Sequence, residues 1–160
     1  MRKIVFFAAL LLCVASCKTL PDKGRILPGD RLPSFSVTMN DGSILSTSTL
    51  SKDTALIVFF STTCPDCQKE LPTVQSFYER HKEKMTIAAI SREETAQSIE
   101  KWWKAHGISL PFSAQKDRKV YELFSQSGIP FTVLAIDGTV VHTWDDRIFF
   151  DEEEYKKILQ

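Results

Sequence analysis

The chain has 160 residues, enough for one domain with a real core. Its composition, 43% hydrophobic and 25% charged, is that of an ordinary globular protein and argues against intrinsic disorder. Lys and Arg number 20 and Asp and Glu also 20, so no basic surplus points to nucleic acid, and no nucleic-acid partner is expected.

Residues 1–16 stand apart from the fold. Arg2 and Lys3 form a positive start, and residues 4–14 form an apolar run of 11. That is too short for a lasting bilayer span and suits a signal peptide. Val14-Ala15-Ser16-Cys17 then resembles the lipobox of bacterial lipoproteins, in which the cysteine, here Cys17, becomes the lipidated first residue. An ordinary cleavage site with an incidental cysteine is the other reading. Cys13 would leave with the signal. Lys18, rather than Asp, follows the lipidated position, which in a Gram-negative cell suggests the outer membrane. Residues 17–32 carry Pro21, Gly24, Pro28, Gly29 and several charges, and read as a tether from lipid to domain. An arm packed on the domain is the alternative. The domain proper is expected over residues 33–160.

Residues 33–38 alternate and read as a short strand. Asn40-Asp41-Gly42 turns the chain and Ser43-Ile44-Leu45 returns it. Residues 46–51, rich in Ser and Thr, read as a loop or one helical turn. The apolar run over residues 54–60 is a buried strand. Ser61-Thr62-Thr63-Cys64-Pro65-Asp66-Cys67 follows, then an amphipathic helix to about His81 whose buried face reads Cys67, Leu71, Val74, Tyr78. Pro72 falls inside it and is expected to kink it.

Two cysteines spaced C-x-x-C at a helix start, directly after a buried strand, read as a thioredoxin-like redox site. Cys64 takes the N-cap position, and Pro65 the first helical one, where a missing N–H costs nothing. The free amides and the dipole at a helix start favour negative charge, and the thiolate is the form that attacks a disulfide. Cys67, one turn on, is placed to resolve a mixed disulfide. A C-x-x-C can also be half of a zinc site. No third cysteine follows Cys67, however, and His81, His106 and His142 lack H-x3–5-H spacing. A purely structural disulfide would gain little from closing so short a loop.

A second central strand is expected over residues 85–90. Ser91-Arg92-Glu93-Glu94 reads as a capping box, with Ser91 and Glu94 reciprocally bonded. The helix behind it places Ala96, Ile99, Trp102, Trp103 and His106 at helical spacing, with one Trp facing the core and its neighbour half exposed. Gly107 ends it. Residues 110–114 form a short strand, and Asp117 opens a short helix burying Val120, Leu123 and Phe124. Ser127-Gly128-Ile129-Pro130 precedes a strand to Ile136. Asp137-Gly138 suits a type I′ hairpin turn, and residues 139–144 return. Asp151 to Glu154 supply acid to the first turn of a last helix ending at Gln160. Strand–helix alternation with a closing hairpin argues an α/β class with a mixed sheet covered on both faces.

From residue 28 to 160 the chain resembles the thioredoxin superfamily, specifically its TlpA/ResA-like branch, related to AhpC/TSA proteins. The resemblance rests on Gly29-Asp30-Arg31-Leu32-Pro33-Ser34-Phe35, the Asp41-Gly42 hairpin, Cys64-Pro65-Asp66-Cys67 with Glu70-Leu71-Pro72, and Gly128-Ile129-Pro130. It implies a thioredoxin-like fold with an N-terminal β-hairpin and a central strand–helix insert over residues 85–114. It makes Cys64 the attacking and Cys67 the resolving cysteine, and Pro130 the family's cis-proline, leaving the Ile129 backbone to pair with an extended substrate. Thr63, Pro65 and Asp66 would line the substrate contact. Glu70 matches an acidic residue placed to assist proton transfer; as plain sequence it reads equally as a solvated helix carboxylate. Two departures stand out. Thr63 replaces the Trp of thioredoxins, and Val58 replaces their buried Asp, so proton handling for Cys67 falls to Glu70, water or the leaving thiol.

The resemblance implies an enzyme, a thiol–disulfide oxidoreductase lipid-anchored in the cell envelope and facing the periplasm. No cofactor beyond the redox-active Cys64–Cys67 disulfide is implied. Its partners would be disulfide or thiol protein substrates and a membrane-bound electron donor, with cytochrome c maturation or general disulfide reduction as the setting. Two other functions remain. A peroxiredoxin-type peroxidase would carry a Pro before a lone cysteine, which Thr62-Thr63-Cys64 lacks. A Sco-like metallochaperone would use C-x-x-x-C, one residue longer than this spacing.

Overall fold

The computed structural model describes residues 24–145 and 152–158. The proposed signal peptide, Cys13 and Cys17 lie outside the described residues, as do Asp151 and Gln160 of the last expected helix. No helix among the described residues is long and apolar enough to cross a membrane.

The chain opens with a hairpin, β1 (Ser36–Thr38) and β2 (Ile44–Ser46), antiparallel with Val37 opposite Leu45. Asn40 ties this hairpin to the main sheet: its N–H donates to Phe112 O at 2.7 Å and its Oδ1 accepts Phe112 N–H at 2.9 Å. Residues 46–51 take the helical option: α1 (Thr47–Leu50) is capped by Ser46, whose Oγ accepts Thr49 N–H.

The main sheet has the order β5-β4-β3-β6-β7. Its centre is β3 (Thr54–Phe60), every residue of which after Thr54 is buried. It runs parallel to β4 (Thr86–Ser91), which runs parallel to β5 (Phe112–Ser113). On its other side β3 pairs antiparallel with β6 (Phe131–Ile136), and β6 with β7 (Thr139–Asp145). Asp137 and Gly138 turn this last hairpin with φ of 49° and 71°, both positive as a type I′ turn requires. The crossovers are α2 (Pro65–His81), α3 (Ala96–His106) and the single turn α4 (Lys119–Glu122), and α5 (Glu152–Ile158) closes the described chain.

Neighbouring residues of a strand point to opposite faces. Phe59 meets Tyr121 and Phe124 at ring-centroid distances of 5.6 and 4.8 Å, whereas Phe60 meets Trp103 of α3 at 4.9 Å. The α3 and α4 regions therefore cover opposite faces of the sheet, and the expected α/β class with a mixed sheet covered on both sides holds. The Trp pair divides as expected: Trp103 is buried and donates to Leu110 O, while Trp102 is half-buried. Gly107 ends α3 in the left-handed region at φ 64°.

Four local expectations need correction. Residues 24–32 are not a free tether. Ile26 and Leu32 are buried, Gly29 N–H and Val140 N–H bond reciprocally to Val140 O and Asp30 O at 2.8 Å, and Arg25 pairs with Asp145. This segment lies along the β7 side of the sheet and belongs to the folded unit. Ser91 and Glu94 form no capping box. Ser91 ends β4 fully buried and accepts Gln115 N–H at 2.8 Å, and Thr95 caps α3 by accepting Ser98 N–H. On α2 the buried residue of the last turn is Phe77, with Tyr78 only partly covered, because Phe77 meets Tyr155 of α5 at 4.9 Å. Near α4 Phe124 is buried as expected, but its neighbour against Phe59 is Tyr121, while Leu123 is 46% exposed and Val120 only partly buried.

Candidate active site

The carboxyl end of β3 delivers the chain to the site. After Phe60, Ser61 and Thr62 stay buried, Thr63 emerges, Cys64 is half-buried, and Pro65 and Asp66 are exposed. Cys64 is the N-cap of α2, extended at φ −83°, ψ 119°, with Pro65 in the first turn. Its N–H donates to Ser61 O at 3.2 Å and its carbonyl accepts Gln68 N–H at 3.0 Å, the first bond of the helix. The helix continues through Pro72 without a break.

The Cys64 thiol does not cap the helix; it donates to Ile129 O at 3.4 Å. Ile129–Pro130 is a cis peptide, as the resemblance implies. Tyr121 lies beneath this loop, with its hydroxyl 2.8 Å from both Ser127 O and Gly128 O. Helix start and proline loop thus face each other across the reacting sulfur, although Cys64 and Ile129 are 65 positions apart.

Cys67 is fully buried one turn below. Burial pushes its thiol far above the ordinary cysteine range; a hydrogen bond with Cys64 and the charges of Cys64 and Glu70 push the same way, and the Ser61 backbone opposes them. Glu70 is only 4% exposed, so the solvated-carboxylate reading fails. Asp66, by contrast, is a surface group 3.1 Å from Lys69 Nζ. His81 stacks on Phe77, His106 on Trp102, and His142 lies against Trp144. Among the described residues no group of three or more His, Cys, Asp or Glu side chains could hold a metal ion.

Thr63 also borders a groove of about 380 Å³ with Trp102 and Lys101. The residues that sequence reasoning missed are Tyr121, under the proline loop, and Glu94, whose carboxylate bonds to Thr62. The S-x-x-E spacing had a cheaper local use for Glu94; only the Thr95-x-x-Ser98 spacing hinted that the cap lay elsewhere.

The AhpC/TSA family pattern matches residues 28–142, well over half the chain. The chain belongs to the AhpC/TSA family. A thiol-disulfide oxidoreductase ResA of Bacillus cereus is 30% identical over 139 residues, 82% of this chain and 80% of that one. ResA of Bacillus subtilis (strain 168) is 27% identical over 121 residues, 74% and 68% of the two chains. Among solved structures, a thio-disulfide isomerase from Thermus thermophilus superposes with a TM-score of 0.68 at 26% identity, covering 84% of this chain and 95% of that one. StoA from Bacillus subtilis, at 22% identity and a TM-score of 0.66 over 83% and 100% of the chains, shares the fold. This AhpC/TSA protein is thus a TlpA/ResA-like member of the thioredoxin superfamily and a thiol–disulfide oxidoreductase, as the motifs implied.

The buried thiol makes the stability of the reduced protein fall at alkaline pH. An unfolded chain releases the Cys67 proton near pH 8.5, at about the model-peptide value, while the folded chain retains it because its pKa is raised. The stabilisation is complete below that pH and is lost as pH rises through the window above it, at about 1.4 kcal/mol per pH unit. Urea unfolding of reduced wild type and Cys67→Ala between pH 7 and 10 should show the steeper decline in wild type. Equal slopes would contradict the assignment.

Proposed function

We propose that this protein is a lipid-anchored, extracytoplasmic thiol–disulfide oxidoreductase that reduces disulfides of exported proteins, apocytochromes c among them. The Cys64 thiolate attacks a substrate disulfide, forming one S–S bond and breaking another, and the departing substrate sulfur takes up a proton. The Cys67 thiol then gives its proton to Glu70 and attacks the Cys64 sulfur; the second substrate sulfur leaves as a thiolate and takes up the proton that Glu70 holds. The substrate has gained two electrons, and the protein carries a Cys64–Cys67 disulfide. A membrane-bound dithiol donor restores the reduced pair.

One observation carries this reading: a half-buried Cys64 at a helix start faces the Ile129 carbonyl, with a protonated, buried Cys67 behind it. The arrangement separates the roles. One sulfur meets solvent and substrate, and the other is withheld until a mixed disulfide exists. Glu70 is the buried carboxylate whose charge Cys67 senses, which suits it to accept that proton. The cis Ile129–Pro130 loop, with Thr63, Pro65 and Asp66 at the exposed rim, supplies the surface on which an extended substrate lies. The lipid anchor at Cys17 rests on the Val14-Ala15-Ser16-Cys17 motif, and an oxidising compartment is where protein disulfides occur as substrates.

The full chain, kept reduced by a dithiol, should reduce insulin disulfides catalytically, and cell fractionation should recover it with membranes while Cys17→Ser becomes soluble. Consumption of peroxide at a higher rate than insulin reduction would favour the peroxidase instead. A soluble wild type would remove the anchor.

A further inference from the structure

Glu94 reaches the redox loop from outside the helix that bears the cysteines. It sits in the turn between β4 and α3, held there by its N–H, which donates to Gln115 O at 2.9 Å. Thr95 performs the helix capping, so the Glu94 carboxylate is free of that duty. It turns to the two residues that follow β3. One of its oxygens accepts Thr62 N–H at 2.8 Å and lies 3.4 Å from Ser61 Oγ; the other accepts the Thr62 hydroxyl. Ser61 and Thr62 are 8% and 7% exposed, where a backbone donor without a partner is costly.

Those two residues in turn hold both cysteines. Ser61 O accepts Cys64 N–H at 3.2 Å, and the Ser61 backbone opposes the rise that burial imposes on the Cys67 thiol. Ser61 Oγ accepts Thr63 N–H at 3.2 Å, and Thr62 O accepts Gln68 Nε2–H at 2.6 Å. A carboxylate one strand away therefore fixes the short segment from which the positions of both sulfurs are set.

The geometry points to Glu94 as a positioning residue: supplied by the β4–α3 turn, it locks residues 61 and 62 and through them holds Cys64 and Cys67 where their disulfide closes. It rests on the reading that this pair is the redox centre. Closing a C-x-x-C disulfide is an intramolecular step, and its equilibrium follows the effective concentration of one sulfur at the other. A loosened loop lowers that concentration and shifts the pair toward the dithiol. The negative charge and the reach of the side chain can be separated by substitution. Glu94→Gln keeps the length and an acceptor without the charge; Glu94→Asp keeps the charge and withdraws it by one methylene; Glu94→Ala removes both.

The test is the equilibrium of the full chain with reduced and oxidised glutathione, read as the fraction of Cys64–Cys67 disulfide, with a thermal melt of each variant. Glu94→Asp and Glu94→Ala should favour the dithiol at least fivefold relative to wild type, and Glu94→Gln should stay within twofold. If Glu94→Ala does not fold, the Asp–Gln pair decides alone. The proposal is overturned if Glu94→Asp stays within twofold of wild type, or if Glu94→Gln shifts as far as Glu94→Asp. A wild type that forms no Cys64–Cys67 disulfide in the same titration would instead remove the redox reading beneath it.

Discussion

Cys67→Ser protein is expected to accumulate as mixed disulfides with its substrates, and Cys64→Ser protein is not. The asymmetry follows from where the two sulfurs lie. Cys64 is half-buried at the start of α2, beside the Ile129 carbonyl, whereas Cys67 is fully buried with its thiol held protonated. Without Cys67 the first attack still occurs, but no other thiol among the described residues releases the product. Without Cys64 no accessible thiol among the described residues begins the reaction. Turnover should fall by on the order of 10³-fold or more in either variant, since removing one member of a group that acts as a unit costs nearly as much as removing all. Non-reducing gels of cells expressing each variant, treated with acid to quench exchange, would show high-mass adducts for Cys67→Ser alone. Equal trapping by both variants would reverse or cancel the assignment of roles.

The largest stability effect is expected at Phe59. It is fully buried in the central strand and packs on Tyr121, Phe124 and Phe131, with centroid distances of 5.6, 4.8 and 6.4 Å. Truncation to Ala removes the ring and leaves a cavity that the surrounding aromatics fill only in part, at a cost of about 3–5 kcal/mol. Much of the roughly 5–15 kcal/mol that typically holds a domain together would be gone. The damage also reaches the site. Phe59 pairs with Phe131, the residue after Pro130, and packs on Tyr121, which supports the proline loop. Urea unfolding should therefore show an early midpoint, and exchange activity should already fall at urea concentrations below that midpoint. A stability within about 0.5 kcal/mol of wild type, the range of an ordinary surface substitution, would contradict the packing described.

Much of this was legible in the residues themselves. The β3 strand, its turn into Cys64 and the run of α2 to His81 follow from an unbroken apolar run, a proline at the first helical position and a helical spacing, all local signals. Asp137-Gly138 announced its hairpin because few other pairs accept two positive φ angles. The failures share one cause, which is that the deciding partner lies far along the chain. Residues 24–32 look like a linker because their prolines, glycines and charges show no period. Yet Arg31 donates to Asp137 O and Thr139 Oγ1, more than a hundred positions away. Glu94 has a plausible use three residues from Ser91 and an actual one at Thr62, which only the β3–β4 pairing brings near. Glu70 follows Cys67 by one turn and so had to share its face, but the depth of that face is set by the sheet beneath it. Tyr121 took the inward place expected for Leu123, beside Phe124, because Phe59, not the helix, decides which side is inward.

Every step of the proposed exchange requires Cys64 and Cys67 to form one reversible redox pair. The most direct test is a glutathione redox titration of the full chain, with each sample acid-quenched, alkylated and digested, and the disulfides located by mass spectrometry. A single two-electron transition confined to the peptide that contains Cys64 and Cys67 is expected. Disulfides joining either residue to another chain throughout the titration, or two thiols that persist at every glutathione ratio, would contradict it.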